Sequence, residues 1–156
     1  MSRRRRATKH AIIPDPRYNS PVISNFINRV MTRGKKSLAQ RIVYDALHIL
    51  EGENSSDPVE TFNLAIRNVT PQLEVKPRRV GGATYQVPVE VGTNRQLALA
   101  IRWILRASRE RTGRPMSERL ALELQEASRG QGAAVRRKEE THRMADANRA
   151  FVHYRW

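Results

Sequence analysis

The chain has 156 residues, which is enough for one ordinary domain with a single hydrophobic core. Lys and Arg number 29 against 15 Asp and Glu, and the resulting formal net charge of +14 favours a polyanionic partner, either nucleic acid or an anionic membrane. The absence of cysteine excludes disulfides, Cys-ligated zinc, iron–sulfur clusters and thiol nucleophiles.

Arginine makes up 24 of the 29 basic residues. Guanidinium groups bind phosphate in a bidentate manner and stack on bases, so this bias favours RNA or DNA, although a GC-rich genome would produce the same ratio. No apolar run approaches the ~20 residues of a membrane span. The basic stretch 1–9 is followed by no apolar segment of the kind that a secretory signal needs. We therefore expect a soluble, intracellular protein that makes no contact with a membrane.

The charge is distributed unevenly along the chain. Residues 1–36 carry a net charge of +9, residues 37–74 carry −4, residues 75–111 carry +6 and residues 112–156 carry +3. This pattern predicts a polarised surface, with one basic face for the polyanion and another face left for other contacts.

The predicted elements begin with an extended basic arm over residues 1–16, which contains Pro14 and Pro16. Apolar residues spaced three or four apart then predict six helices in a single domain over residues 17–156. The predicted helices run from Pro21 to before Gly34, and over about 36–50, 57–71, 94–111, 116–129 and 133–151. Ser20 before Pro21, and the capping boxes that start at Asp57 and Thr93, mark three of the helix starts. The apolar face expected for the second helix is Leu38, Ile42, Ala46, Ile49 and Leu50.

Between the third and fourth helices the apolar period changes from 3.6 to 2. Two alternating runs flank Gly81 and Gly82, which predicts a β-hairpin at about 72–91. Pro77 and Pro88 cannot donate ladder hydrogen bonds, so we expect an isolated two-stranded ribbon. The predicted fold is therefore mainly α, a six-helix domain with a protruding two-stranded β-hairpin arm.

The residue types that support catalysis or metal binding do not form a recognisable motif. His142 and Asp146 lie four residues apart and could share a metal, but a pair on a helix surface is the favoured interpretation. The acidic residues in 45–60 and 118–140 are interpreted as solvated helix faces and caps. We therefore expect no enzymatic activity, no cofactor and no metal.

Three basic groups instead predict a phosphate-binding surface: the arm, the hairpin tip, and one side of the fourth helix. Their members are Arg3, Arg4, Arg5, Arg6 and Lys9; Lys76, Arg78 and Arg79; and Arg95, Arg102, Arg106 and Arg109. The arm alone would also fit a solvated tail or a localisation signal. Tyr85, opposite the hairpin cations, would either stack on a base or pack on Val75.

The last six residues, 151–156, contain three aromatic side chains between arginines. Three interpretations stay open for them: a docking patch for a protein, a stacking platform for bases, or packing in the core.

Several strings resemble the small-subunit ribosomal protein seven family, of bacterial or plastid type. The most specific are RRVGGATYQVPVEV at 78–91 and KEETHRMADANRAF at 138–151, and GKK at 34–36, AIRW at 100–103 and HYRW at 153–156 fit as well. The resemblance implies a protein of the cytoplasmic ribosome, or of the plastid stroma. Such a protein binds the 3′ major domain of 16S ribosomal RNA and nucleates assembly of the small-subunit head.

The resemblance also implies specific contacts. It adds Lys35 and Lys36 to the ribosomal RNA ligands, and it implies docking to the ninth and eleventh small-subunit proteins near Tyr154 and Trp156. It implies that Arg79, Gly81, Gly82, Tyr85 and Arg143 lie near exit-site transfer RNA and messenger RNA. Some members repress translation of their own operon. From the residues alone, an architectural DNA-binding protein and a nuclease remain the alternative hypotheses.

Overall fold

A computed structural model describes residues 11–54 and 57–154. The helices are α1 (Pro21–Val30), α2 (Lys36–Asn54), α3 (Pro58–Val69), α4 (Thr93–Glu110), α5 (Met116–Ser128) and α6 (Ala133–Ala147), followed by a C-terminal 3₁₀ helix (Arg149–Tyr154). Strands β1 (Leu73–Val80) and β2 (Ala83–Glu90) form one antiparallel sheet. The predicted helical fold with a two-stranded hairpin is confirmed. Five predicted arm ligands, Arg3 to Arg6 and Lys9, and the docking residue Trp156 lie outside the described residues.

The helix starts follow the capping chemistry at two of the three predicted sites. The Ser20 hydroxyl accepts a hydrogen bond from the Ile23 amide, and the Asp57 carboxylate accepts one from the Val59 amide at 2.9 Å. The capping box predicted at Thr93 is wrong, because Gly92 is the N-cap and makes no side-chain cap. The preceding Val91 is buried, and its amide donates a hydrogen bond to the Gln72 carbonyl, which closes the hairpin. Helix α4 therefore begins at Thr93, one residue before the predicted start.

The core lies between the helices and contains few large aromatic side chains. Phe26 of α1 meets Phe62 of α3 edge to face, with ring centroids 5.2 Å apart. The predicted buried face of α2 is confirmed at Ala46 and Leu50, but the rest of the buried stripe lies one residue further along than predicted. Leu38 is 46% exposed, whereas Ala39 and Leu47 are buried. The small Ala39 side chain occupies the position where the helix packs closely against the core.

The last predicted helix, over 133–151, is shorter in the structure. It ends at Ala147, and the Asn148 side chain donates to the Met144 carbonyl at 2.7 Å, satisfying an orphan group of the last turn. The chain then turns into the C-terminal 3₁₀ helix, where Phe151 packs against Tyr85 of β2. Packing against the hairpin therefore ends the helix earlier than its periodicity predicts.

Glu123 of α5 corrects the interpretation of the acidic residues in 118–140 as solvated. Its side chain is completely buried and joins three helices. One carboxylate oxygen accepts the Ala134 amide at the start of α6, at 2.9 Å, and the other accepts the Arg111 guanidinium that follows α4, at 2.6 Å. A side chain at Gly132 (φ +94°) would meet that carboxylate at 3.1 Å, so glycine suits this turn.

Candidate nucleic-acid interface

A groove between α1 and α4 brings four guanidinium groups together. Arg102, Arg106 and Arg109 share one side of α4 because they lie four and three residues apart. Arg29 belongs to the last turn of the neighbouring α1. The groove has a volume of about 390 Å³, and its lining residues are Arg29, Arg102, Leu105, Arg106, Arg109 and Glu110. The groove therefore holds four positive charges and one negative charge, and this excess of positive charge suits the phosphate backbone of a nucleic-acid strand.

The groove arginines differ in how firmly the protein holds them. Arg106 donates to Glu110 one turn away, at 2.8 Å, and this hydrogen bond raises the pKa of its guanidinium. Arg109 reaches the carbonyl of Val30 at the end of α1, at 3.5 Å. Within 11–54 and 57–154, Arg102 has neither an ion pair nor a hydrogen bond from its side chain. No motif in the sequence marks Arg29, because only the packing of α1 beside α4 brings it to the groove.

Arg95, the first member of the predicted helix stripe, lies apart from this groove. Its guanidinium contacts both carboxylate oxygens of Glu74 in β1, at 2.8 to 2.9 Å, and Lys76 contacts the same carboxylate at 3.0 Å. Burial raises the pKa of Glu74, but the hydrogen bonds from Lys76 and Arg95 outweigh it and leave the pKa below its usual value. Arg95 therefore attaches the hairpin root to α4, whereas Lys76 pairs with Glu74 within β1. The role of both cations as phosphate ligands stays a prediction.

The hairpin tip presents Arg78 and Arg79 as exposed side chains. They face Tyr85 and Thr84 across the ladder, so the cations lie on β1 and uncharged residues lie opposite. Gly81 and Gly82 have φ values of +57° and +89°, as a tight two-residue hairpin turn requires.

A second basic segment continues from the end of α1. Lys35 and Lys36, which the resemblance adds, are exposed where α2 begins, and the Lys35 amide donates to Thr32 in the preceding turn. Arg33 in the same turn is exposed with φ of +53°, and it is not among the predicted ligands because no motif marks it. Since this turn follows Arg29 along the chain, it extends the basic surface of the α1/α4 groove.

The aromatic residues of the C-terminus pack onto the hairpin. The Tyr85 ring lies 5.2 Å from Phe151 and 5.1 Å from Tyr154, centroid to centroid. The alternative contact with Val75 is therefore replaced by one with the C-terminal 3₁₀ helix. Phe151 and Tyr154 are half-buried, which leaves part of each ring accessible to a partner.

His142 connects α6 to the hairpin root. Its Nε2 accepts the amide of Gln72 at 3.1 Å, and the neighbouring Arg143 is exposed on the outer side of α6. This contact occupies Nε2, one of the two ring nitrogens through which a histidine can bind a metal. Among the described residues, no group of three or more His, Cys, Asp or Glu side chains could hold a metal ion. The helices of the same residues include none that is long and apolar enough to cross a membrane.

Comparison with known proteins decides the family. The family profile described as "Ribosomal protein S7p/S5e" matches residues 2–149. The chain belongs to the ribosomal protein S7p/S5e family. Proteins called "Small ribosomal subunit protein uS7" are similar over all 156 residues and over their own full length. Identity is 61% for Acaryochloris marina, 58% for Dehalococcoides mccartyi strain 195 and 56% for Arthrospira platensis.

Membership of the S7p/S5e family confirms the resemblance carried by the hairpin and C-terminal strings. It makes the chain a ribosomal protein that works in translation as part of a ribonucleoprotein and binds RNA. The hypothesis of an architectural DNA-binding protein is therefore disfavoured.

Proposed function

We propose that this ribosomal protein of the small subunit binds the 3′ major domain of 16S ribosomal RNA and nucleates assembly of the subunit head. The α1/α4 groove carries this proposal, because it holds four arginines and a single carboxylate. Unlike Arg95 and Arg111, which contact the buried carboxylates of Glu74 and Glu123, Arg102 is not engaged by another described side chain. The basic turn at Arg33, Lys35 and Lys36 extends the same surface. Arginine and lysine side chains at this spacing can follow successive phosphates.

The hairpin supplies a second contact in the proposal. Arg79, Gly81, Gly82 and Tyr85, with Arg143 on α6, would lie near exit-site transfer RNA and messenger RNA. In support, the tip cations are exposed while the hairpin root is fastened to α4 and α6 by Glu74 and His142. A rigid root with an exposed cationic tip is suited to reaching a ligand away from the body of the domain.

The C-terminal 3₁₀ helix is the proposed docking point for neighbouring proteins, the ninth and the eleventh of the small subunit. Tyr154 is half-buried against Tyr85, and a neighbouring protein would contact the part of its ring that is still accessible. Repression of the protein's own operon would use the same RNA-binding surface on a messenger that imitates the ribosomal site.

The test replaces Arg102 and Arg109 together with alanine and measures affinity for the 3′ major domain RNA over a range of salt concentrations. We expect the logarithm of the affinity to fall linearly with the logarithm of the salt concentration, and the slope to lose about one unit per removed phosphate contact. The affinity at fixed salt should fall by about tenfold or more, as charge-assisted hydrogen bonds are lost.

The matched control is Arg41→Ala, which removes an exposed arginine of α2 in the acidic part of the chain. It should change neither the slope nor the affinity by more than a small factor. Equal effects of the groove variant and the control would contradict the proposal. Duplex DNA of similar length should bind more weakly than the RNA, and a preference for DNA would favour the architectural alternative.

A further inference from the structure

A second groove lies on the other side of α4, against α6. Its volume is about 260 Å³, and its principal lining residues are Trp103, Arg106, Glu110, Ala133, Arg137 and Glu140. This volume is just below the ~300–1,000 Å³ of pockets for drug-sized ligands and suits a smaller planar ligand. Trp103 is half-buried and packs against the core, which holds its ring in place. Its indole N–H makes no hydrogen bond to any atom of the described residues.

Both walls of this groove carry hydrogen-bond donors and acceptors. Arg106 and Glu110 form a pair on α4 at 2.8 Å, and Arg137 and Glu140 form a pair on α6 at 3.0 Å. All four side chains are at least half exposed, so both pairs are weak in water and open to exchange with a ligand. An aromatic ring between guanidinium and carboxylate groups is the combination by which proteins recognise an unstacked base.

We infer that this groove binds a single unstacked guanine of the RNA. The inference rests on the proposed RNA-binding function and adds a base to the phosphate contacts. Guanine offers two acceptors, O6 and N7, which match the paired donors of an arginine. Its N1–H and N2 amino group are donors that a carboxylate accepts, and its ring stacks on an indole. Adenine and uracil do not offer two neighbouring acceptors together with two neighbouring donors, so they match an arginine and a carboxylate less well.

Arg106 and Glu110 line both grooves, so the two sites share one ridge of α4. An RNA strand whose phosphates follow the α1/α4 groove is therefore separated from the α4/α6 groove only by the side chains of Arg106 and Glu110. A base turned out of the strand at that point would cross Arg106 and approach Trp103. The phosphate site and the base site thus form one continuous surface.

The experiment follows the fluorescence of Trp103 in a Trp156→Phe background, since the chain has only these two tryptophans. The probes are three single-stranded RNA pentamers that differ in the central nucleotide, UUGUU, UUAUU and UUUUU. We expect UUGUU to quench the Trp103 emission to saturation and to bind about tenfold more tightly than the other two. Equal affinities for the three pentamers, or binding without any change in emission, would overturn the inference.

Two neighbouring glutamates provide the matched variants. Glu140 lines the groove, whereas Glu139 is exposed and does not line it. Glu140→Gln should reduce the preference for guanine to less than about threefold, while Glu139→Gln should leave it unchanged. A preference that survives Glu140→Gln overturns the assignment. If the 3′ major domain RNA still binds normally in that case, only the inference fails; if neither that RNA nor any pentamer binds, the proposed function fails as well.

Discussion

Two groups of arginines among the described residues look alike in the sequence and differ in their surroundings. Those of the α1/α4 groove face solvent, with one exposed carboxylate among four guanidinium groups. Arg95 and Arg111 instead each contact a buried carboxylate, Glu74 or Glu123. The location of the carboxylates, rather than the spacing of the cations, therefore separates arginines that hold the fold from arginines that face solvent.

The largest effect expected from this comparison is on Arg111. Arg111→Ala removes the cation that faces the fully buried Glu123, so a buried charge loses its partner. The free energy of unfolding should fall by about 3 kcal/mol, as measured by urea denaturation. Arg114→Ala, which breaks only an exposed pair with Glu118, is the control and should cost less than about 1 kcal/mol. Similar losses in the two variants would show that burial does not distinguish these arginines.

A smaller, pH-dependent effect is expected at the hairpin root. Because the pKa of folded Glu74 lies below its usual 4.5, its ionised form stabilises the fold at pH 7, and this contribution is lost as the pH falls below 4.5. Glu74→Gln should cost about 2 kcal/mol of unfolding free energy at pH 7. The difference from the unaltered protein should shrink on acidification. Asp45→Asn, on the exposed side of α2, is the control and should cost less than about 0.5 kcal/mol at pH 7. A constant difference between pH 7 and pH 3 would contradict the assignment.

The smallest effect on stability is expected in the groove itself. Arg102→Ala removes an exposed side chain that is neither ion-paired nor hydrogen-bonded within the described residues. Its free energy of unfolding should stay within about 0.5 kcal/mol of that of the unaltered protein. Thermal melting of the single variant checks this expectation. A clear loss of stability would place Arg102 in the structural group and weaken the proposed function of the groove.

Local patterns in the sequence account for much of the fold. The 3.6-residue period locates six helices, and Ser20 and Asp57 cap two of them as their side-chain chemistry predicts. Gly81 and Gly82 mark the hairpin turn, because only a residue without a side chain adopts positive φ there at little cost. The predictions were wrong at the start of α4, where Thr93 is not the N-cap, and on the buried face of α2, where Leu38 is exposed. At both places contacts with residues distant in the chain outweigh the local preference.

The candidate site was predictable only in part for the same reason. Arg102, Arg106 and Arg109 share a helix side by their spacing alone, which is a local property. Arg29 lies beside them only because α1 packs next to α4. Arg95 does not line the groove, because its guanidinium contacts Glu74 of β1 instead. Contacts between residues far apart in the chain carry no periodic signal.

The helical class, the hairpin and the excess of positive charge are set by the sequence alone, because they follow from composition, period and turn chemistry. The family follows from the specific strings that the profile matches. Tertiary structure decided which cations are neutralised and which are exposed. It buried Glu74 and Glu123 beside Arg95 and Arg111, and it packed Tyr85 against the C-terminal 3₁₀ helix. The physical reason is that burial and ion pairing depend on distances across the fold, and elements remote in sequence set those distances.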